Sequence, residues 1–178
     1  MAVNFGETAI RFGCIRGIGK ERGTIMAQAG DNAKKALVDE LNGVLADHLA
    51  LYVKTKNFHW HVAGPRFHDL HLLFDEQATA ILGVVDLIAE RVRKNDADTL
   101  TSIGSIASRT AVKDQNKTAL PAEKMVEELR DDNAALVARL KGLKDLAGDA
   151  GDNATDGIVD DWTDQAEQRV WFLSQTLK

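Results

Sequence analysis

The 178-residue chain is 44% hydrophobic and 28% charged, a profile that suits one soluble globular domain with a sizeable core. No apolar run approaches the roughly 18 residues of a membrane span, and the N-terminus lacks an apolar signal segment, so no membrane partner is expected. The single cysteine, Cys14, excludes a disulfide within the chain and fits a reducing cytoplasm. The net charge of −5 is unevenly spread: residues 1–35 carry six basic and three acidic side chains, or +3, which leaves −8 for residues 36–178.

In chain order, residues 1–32 read as a flexible basic arm. Gly6, Gly13, Gly17, Gly19, Gly23 and Gly30 argue for looseness. Arg11, Arg16, Lys20 and Arg22 are candidate contacts to DNA phosphates, and Met26 is an alternative start of translation. The folded domain is expected over residues 33–178. Residues 33–62 place Leu37, Leu41, Val44, Leu45, Leu49 and Tyr52 at helical spacing. Gly64-Pro65 breaks that run with a turn. A second helix over 67–93 is apolar nearly all round, through Phe67, Leu70, Leu73, Phe74, Ile81, Val84, Val85, Ile88 and Val92. Such a helix must pack in its own bundle and against another subunit. The polar stretch 95–120 has room for a short helix near 101–108. Pro121 fits the first turn of a third helix carrying Met125, Leu129, Leu136, Leu140 and Leu143, closed by Gly148 and Gly151. The last helix carries Val159, Trp162, Ala166, Val170, Leu173 and Leu177. No strand pattern competes. The expectation is an all-α four-helix bundle with a short extra helix in the long crossover between helices 2 and 3.

All five histidines lie between residues 48 and 71, with Asp75, Asp86 and Glu90 following. On one helix, positions 71, 75, 86 and 90 fall at roughly 0°, 40°, 60° and 100°, a single polar stripe. The pairs 71/75 and 86/90 lie ~16 Å apart along the axis, too far for one metal centre. Two copies of the helix packed antiparallel about a two-fold axis near residues 80–81 resolve this. His71 then faces Glu90 of the other copy, and Asp75 faces its Asp86, so an isologous dimer makes two identical sites. His59 and His71 are equidistant from Pro65 at the hairpin tip, so His59 joins them. His59, His71 and Asp75 from one chain with Asp86 and Glu90 from the other suit Fe(II), with Zn2+ and Mn2+ as competitors.

The same residues carry a family signature. The run Asn57-Phe58-His59-Trp60-His61-Val62-Ala63-Gly64-Pro65-Arg66-Phe67, then Leu70-His71, Phe74-Asp75, Asp86-Leu87-Ile88-Ala89-Glu90-Arg91 and the C-terminal Arg169-Val170-Trp171-Phe172-Leu173, resembles the Dps family of mini-ferritins. The resemblance spans roughly residues 33–178. It implies a ferritin-like bundle, a hollow homododecamer and ferroxidase sites shared between subunits. It also implies hydrogen peroxide as oxidant, a ferric mineral core and protection of DNA from oxidative damage. The five family ligand positions fall on His59, His71, Asp75, Asp86 and Glu90. The long arm departs from the better-known members.

Blander roles compete at several positions. His48 shares a stripe with Leu41, Leu45 and Tyr52 and reads as a buried, satisfied core histidine. His61 and His68 read as exposed or as neighbours of the ligands. Trp60 is packing first and an electron donor second. Asp149, Asp152, Asp156, Asp160 and Asp161 crowd the start of the last helix, where they offset its dipole. Asp152 and Asp156 also resemble the acids of the family's three-fold iron channel. The rival function is a DNA-compacting, nucleoid-associated structural protein with a secondary metal site. An intra-subunit di-iron bundle is set aside, because no Glu has His three residues later.

Overall fold

The computed structural model describes the backbone of residues 18–178 and the side chains of residues 30–178. The described chain is all-helical: α1 Ile18–His61, α2 Phe67–Gly83, α3 Val85–Lys94, α4 Ile103–Ala107, α5 Ala122–Asp149 and α6 Asn153–Thr176. No helix among the described residues is long and apolar enough to cross a membrane.

Ion pairs and hydrogen bonds fix the topology. Lys54 of α1 pairs with Glu128 and Asp132 of α5, while Arg139 further along α5 reaches back to Asp47 and Glu40. The two helices therefore run antiparallel. The crossover after α3 is tied to α1 in ascending order: Asn42 Nδ2 donates to Asp98 O, Thr110 Oγ1 and Ala111 N donate to Asp47, and Asn57 Nδ2 donates to Gln115 O. The long connection thus travels parallel to α1 and delivers α5 at the far end of the bundle. One such crossover in a four-helix bundle is the ferritin-like arrangement.

The expected stripes form the core. Leu37, Leu41, Val44 and Leu45 of α1 are buried with Met125, Leu129, Leu136, Leu140 and Leu143 of α5 and Val159, Trp162, Ala166 and Leu173 of α6. Leu70, Phe74, Ile81, Ile88 and Val92 complete it from α2 and α3. Three local devices set the connections. Gly64 turns the hairpin at φ +107°, a conformation that strains any L side chain. Ser102 and Ser105 form a reciprocal capping box that starts α4. Gly151, at φ +68°, ends α5 in a Schellman motif, with Asp152 N on Ala147 O and Gly151 N on Gly148 O.

Two boundaries differ from the sequence reading. The first helix begins at Ile18, not near residue 33. Gly19, Gly23 and Gly30 each weaken a helix by ~1 kcal/mol, but no proline interrupts the segment, and the glycines are carried. Arg11 and Arg16 lie outside the described residues, and Lys20 and Arg22 belong to α1 by backbone alone. The expected single helix 67–93 is divided at Val84, directly after Gly83. Val84 keeps a right-handed conformation (φ −98°, ψ −9°), and Ile88 N still bonds Val84 O. The axis therefore bends at a glycine rather than turning back.

Candidate metal centre

The Gly64 turn brings the end of α1 against the start of α2, and with them His59 and His71. Their rings stack at 3.8 Å between centroids, 20° from parallel. Their polar contacts are reciprocal: His59 Nδ1 donates to His71 O at 2.7 Å, and His71 Nδ1 donates to His59 O at 2.9 Å. A carbonyl can only accept, so each ring carries its proton on Nδ1 and keeps the Nε2 lone pair free. Fixing the tautomer through the other nitrogen is what a metal-ligating imidazole requires. His59 is nearly buried and Phe67 covers the His71 ring at 5.1 Å, so packing holds both orientations.

Asp75, one turn beyond His71, places Oδ1 at 4.0 Å from His59 Nε2. The same oxygen accepts from Lys56 Nζ at 2.6 Å, and this bond holds the Asp75 carboxyl below the usual range. Lys56 also sits 5.9 Å from the centre of the exposed Trp60 ring. Lys56 was not singled out in the sequence. Its only signal there is position, three residues before His59 on a helix whose facing strand of chain is 19 residues away.

Asp86 and Glu90 lie beyond the bend on α3 and are exposed. Glu90 accepts from Lys94 at 2.7 Å, which lowers its carboxyl's pKa. The chain thus joins His59, His71 and Asp75 and leaves Asp86 and Glu90 apart. Among the described residues, no three His, Cys, Asp or Glu side chains of one chain form a complete metal cluster. Large apolar side chains stay exposed on α1, α2 and α3: Val53, Trp60, Leu72, Leu82 and Leu87.

The remaining histidines separate cleanly. His48 is buried and donates Nδ1 to Val44 O, and burial pushes it down to about 4. His61 and His68 are exposed. Of the acids around the start of α6, Asp152 and Asp156 are engaged within the chain. Burial pushes the Asp152 carboxyl up, but hydrogen bonds from Asn95, Thr155 and Arg91 pull it far lower. Asp152 caps α6 through Thr155 N and takes both its oxygens to Arg91 Nη2, at 2.7 and 2.6 Å. Asp156 pairs with Lys144 at 3.3 Å and is more exposed.

Comparison with known proteins identifies the family and the fold. The model of the Ferritin-like domain family matches residues 38–178. The DNA protection during starvation protein of Brevibacillus brevis is 35% identical over 138 residues, covering 78% of this chain and 92% of that protein. The X-ray structure of Dps from Thermosynechococcus elongatus superposes with a TM-score of 0.82 at 25% identity, covering 84% of this chain and 95% of that one. The crystal structure of the Dps protein from Vibrio cholerae O1, described as a member of a broad superfamily of ferritin-like diiron-carboxylate proteins, gives 0.78 at 26% identity, covering 83% and 92%. With its single-crossover bundle and a sequence match along most of its length, the chain belongs to the ferritin-like domain family, as a member of its Dps mini-ferritins.

Proposed function

We propose that the protein oxidises Fe(II) with hydrogen peroxide at sites shared by two subunits and stores the ferric product inside a homododecamer. The observation that carries this reading is the pair of stacked imidazoles locked Nδ1-to-carbonyl, which leaves Nε2 of each ring available, with Asp75 Oδ1 4.0 Å from that of His59. Each site is His59, His71 and Asp75 from one chain with Asp86 and Glu90 of the partner subunit. The exposed side chains of Val53, Trp60, Leu72, Leu82 and Leu87 on α1–α3 are the apolar surface available for that two-fold contact. Iron is the substrate. Imidazole nitrogens fix its position, and the carboxylates stabilise the charge that rises on oxidation. Two Fe(II) each lose one electron. Peroxide accepts the pair with two protons, its O–O bond breaks, and two waters leave, so no hydroxyl radical is released. Lys56 must yield Asp75 when Fe(II) arrives, and Trp60, next to His59, is placed to supply the second electron where only one Fe(II) is bound. Zn2+ and Mn2+ fit the same donors as competitors. Iron access is assigned to the acids at the start of α6, with Asp156 as the half-exposed member and Asp152 as its fixed neighbour.

The direct test is anaerobic Fe(II) loading of the purified assembly, followed optically after peroxide or oxygen is added. Light scattering should first give about 230 kDa, from twelve chains of 19.4 kDa. Peroxide should oxidise the iron faster than oxygen, with a radical trap left unreacted. A monodisperse monomer, or unchanged rates in a His59→Ala, His71→Ala variant, would sink the reading.

DNA protection is proposed to include binding through the N-terminal segment; the net +3 of residues 1–35 repeats on every subunit of an otherwise acidic assembly. The name of the Brevibacillus brevis relative points the same way. Retention of DNA should fall steeply with salt. It should also weaken in a chain starting at Met26, which lacks Arg11, Arg16, Lys20 and Arg22. Equal retention by that shorter chain would clear the segment of the role. The rival reading as chiefly a nucleoid-compacting protein predicts full DNA retention together with slow, unsaturable iron oxidation.

A further inference from the structure

One carboxylate joins the end of α3 to the start of α6. Asp152 Oδ1 accepts from Arg91 Nη2 at 2.7 Å and from Thr155 N at 3.0 Å, the second bond capping α6. Asp152 Oδ2 accepts from Arg91 Nη2 at 2.6 Å, from Asn95 Nδ2 at 2.9 Å and from Thr155 Oγ1 at 2.5 Å. Thr155 Oγ1 accepts in turn from Arg91 Nε at 2.9 Å. Asn95, which follows the last residue of α3, also donates Nδ2 to Arg91 O and so occupies a carbonyl near the helix end. The Arg91 and Asp152 side chains are only 15% and 14% exposed, and Thr155 is fully buried. A carboxylate offers about four lone-pair directions. The contacts within the chain already fill them, so Asp152 has none left for a passing cation.

The short helix α3 needs such a tie. It has ten residues, starts directly after the bend at Val84, and buries only Ile88 and Val92 fully. Glu90 stands directly before Arg91 and is exposed. A metal ligand must be held in place by what stands behind it. We propose that Asp152 is a positioning residue for the shared metal site: through Arg91 and Asn95 it fixes the last turn of α3, and with it the Glu90 carboxylate offered to the partner subunit's half-site. This inference rests on the shared-site reading above. It gives Asp152 a part in that site although the residue lies on another helix and touches none of its donors.

The test is equilibrium Zn2+ binding to the purified, metal-free assembly by titration calorimetry, with the end of α3 followed by amide hydrogen exchange. Asp152→Asn keeps an acceptor for Thr155 N but loses the charge that holds Arg91. It should weaken Zn2+ binding about tenfold, as loss of support behind a metal ligand does, and speed exchange over residues 90–95. Asn95→Ala should shift both readouts the same way by less, and it carries the test if Asp152→Asn does not assemble. Glu90→Ala should also weaken Zn2+ binding, and Asp152→Asn added to it should cost little more, because the group that Asp152 positions is already gone. If Glu90→Ala leaves Zn2+ binding unchanged, the shared-site reading fails and the proposal with it. If Glu90→Ala weakens binding but Asp152→Asn and Asn95→Ala do not, the reading stands and the proposal is overturned. Full additivity of Asp152→Asn and Glu90→Ala would overturn it too, since Asp152 would then act independently of Glu90.

Discussion

Two variants that each fail to oxidise Fe(II) rapidly should recover activity when they share an assembly. The first carries His71→Ala and Asp75→Ala, the second Asp86→Ala and Glu90→Ala. Each homo-oligomer lacks half of every site. In a mixed two-fold pair, one site loses both halves. The other takes His71 and Asp75 from the second variant and Asp86 and Glu90 from the first, and is intact. Random mixing makes half the pairs mixed, so about a quarter of all sites should return. The geometry of one chain motivates the experiment: His59, His71 and Asp75 converge, while Asp86 and Glu90 stand alone beyond the bend at Val84. The four substitutions fall on partly or fully exposed side chains, so the variants should fold and assemble. Removing Asp75 frees Lys56, whose ammonium still has the Trp60 ring 5.9 Å away. Sites built within single subunits would give no recovery, because neither variant holds a full set. Verified mixed assemblies that oxidise iron no faster than their parents would refute the pairing of 71 with 90 and of 75 with 86.

What could be read from the sequence was whatever local periodicity encodes. The apolar stripes of α1, α5 and α6 gave the bundle, and Pro121 and Gly151 marked the limits of α5 closely. The symmetry of residues 59 and 71 about Pro65 was enough to expect them as neighbours, because a short turn leaves the chain little choice. Bonds between residues far apart in sequence were not legible. Asp152 read as a dipole-offsetting or channel acid; that its charge is answered by Arg91, 61 residues earlier, while its oxygens cap α6, no local pattern announces. Lys56 reaches Asp75 across the hairpin, a contact with no pattern to announce it. Glycine counting also failed over residues 18–32, where backbone propensity alone favours a loose chain but no residue forbids a helix. The bend at Val84 needed knowledge of how Gly83 sits in the bundle, which periodicity does not supply.

The largest loss of stability should come from Arg139→Ala, remote from the metal half-site. Arg139 of α5 donates Nε to Glu40 at 2.6 Å and Nη1 to Asp47 at 2.7 Å, both on α1. Asp47 is the critical partner, because its side chain is 5% exposed. It also accepts from Thr110 Oγ1 at 2.8 Å and from Ala111 N at 2.7 Å, so one carboxylate ties α1 and α5 to the long crossover. Burial lowers the Arg139 pKa, but the hydrogen bonds it donates to Glu40 and Asp47 outweigh that and raise it above its ordinary value. Deleting the guanidinium leaves Asp47 buried without a counter-charge, which costs about 3–5 kcal/mol. The apparent unfolding midpoint should fall by about 10 °C, and added salt should restore little of it, since buried pairs are poorly screened. Arg139→Met combined with Asp47→Asn should recover most of the loss. Asparagine keeps an acceptor for Thr110 and Ala111 and removes the stranded charge. Gly43 offers an independent check of the same contact. Helix propensity favours Gly43→Ala by ~1 kcal/mol, but the new Cβ would overlap the Arg139 guanidinium, with Cζ only 2.7 Å away. That end of Arg139 is held by two carboxylates and cannot retreat freely, so Gly43→Ala should destabilise the protein. Scanning calorimetry of these variants decides the matter: an Arg139→Ala loss below ~1 kcal/mol, together with a stabilising Gly43→Ala, would mean that α1 and α5 are held by their apolar stripes alone.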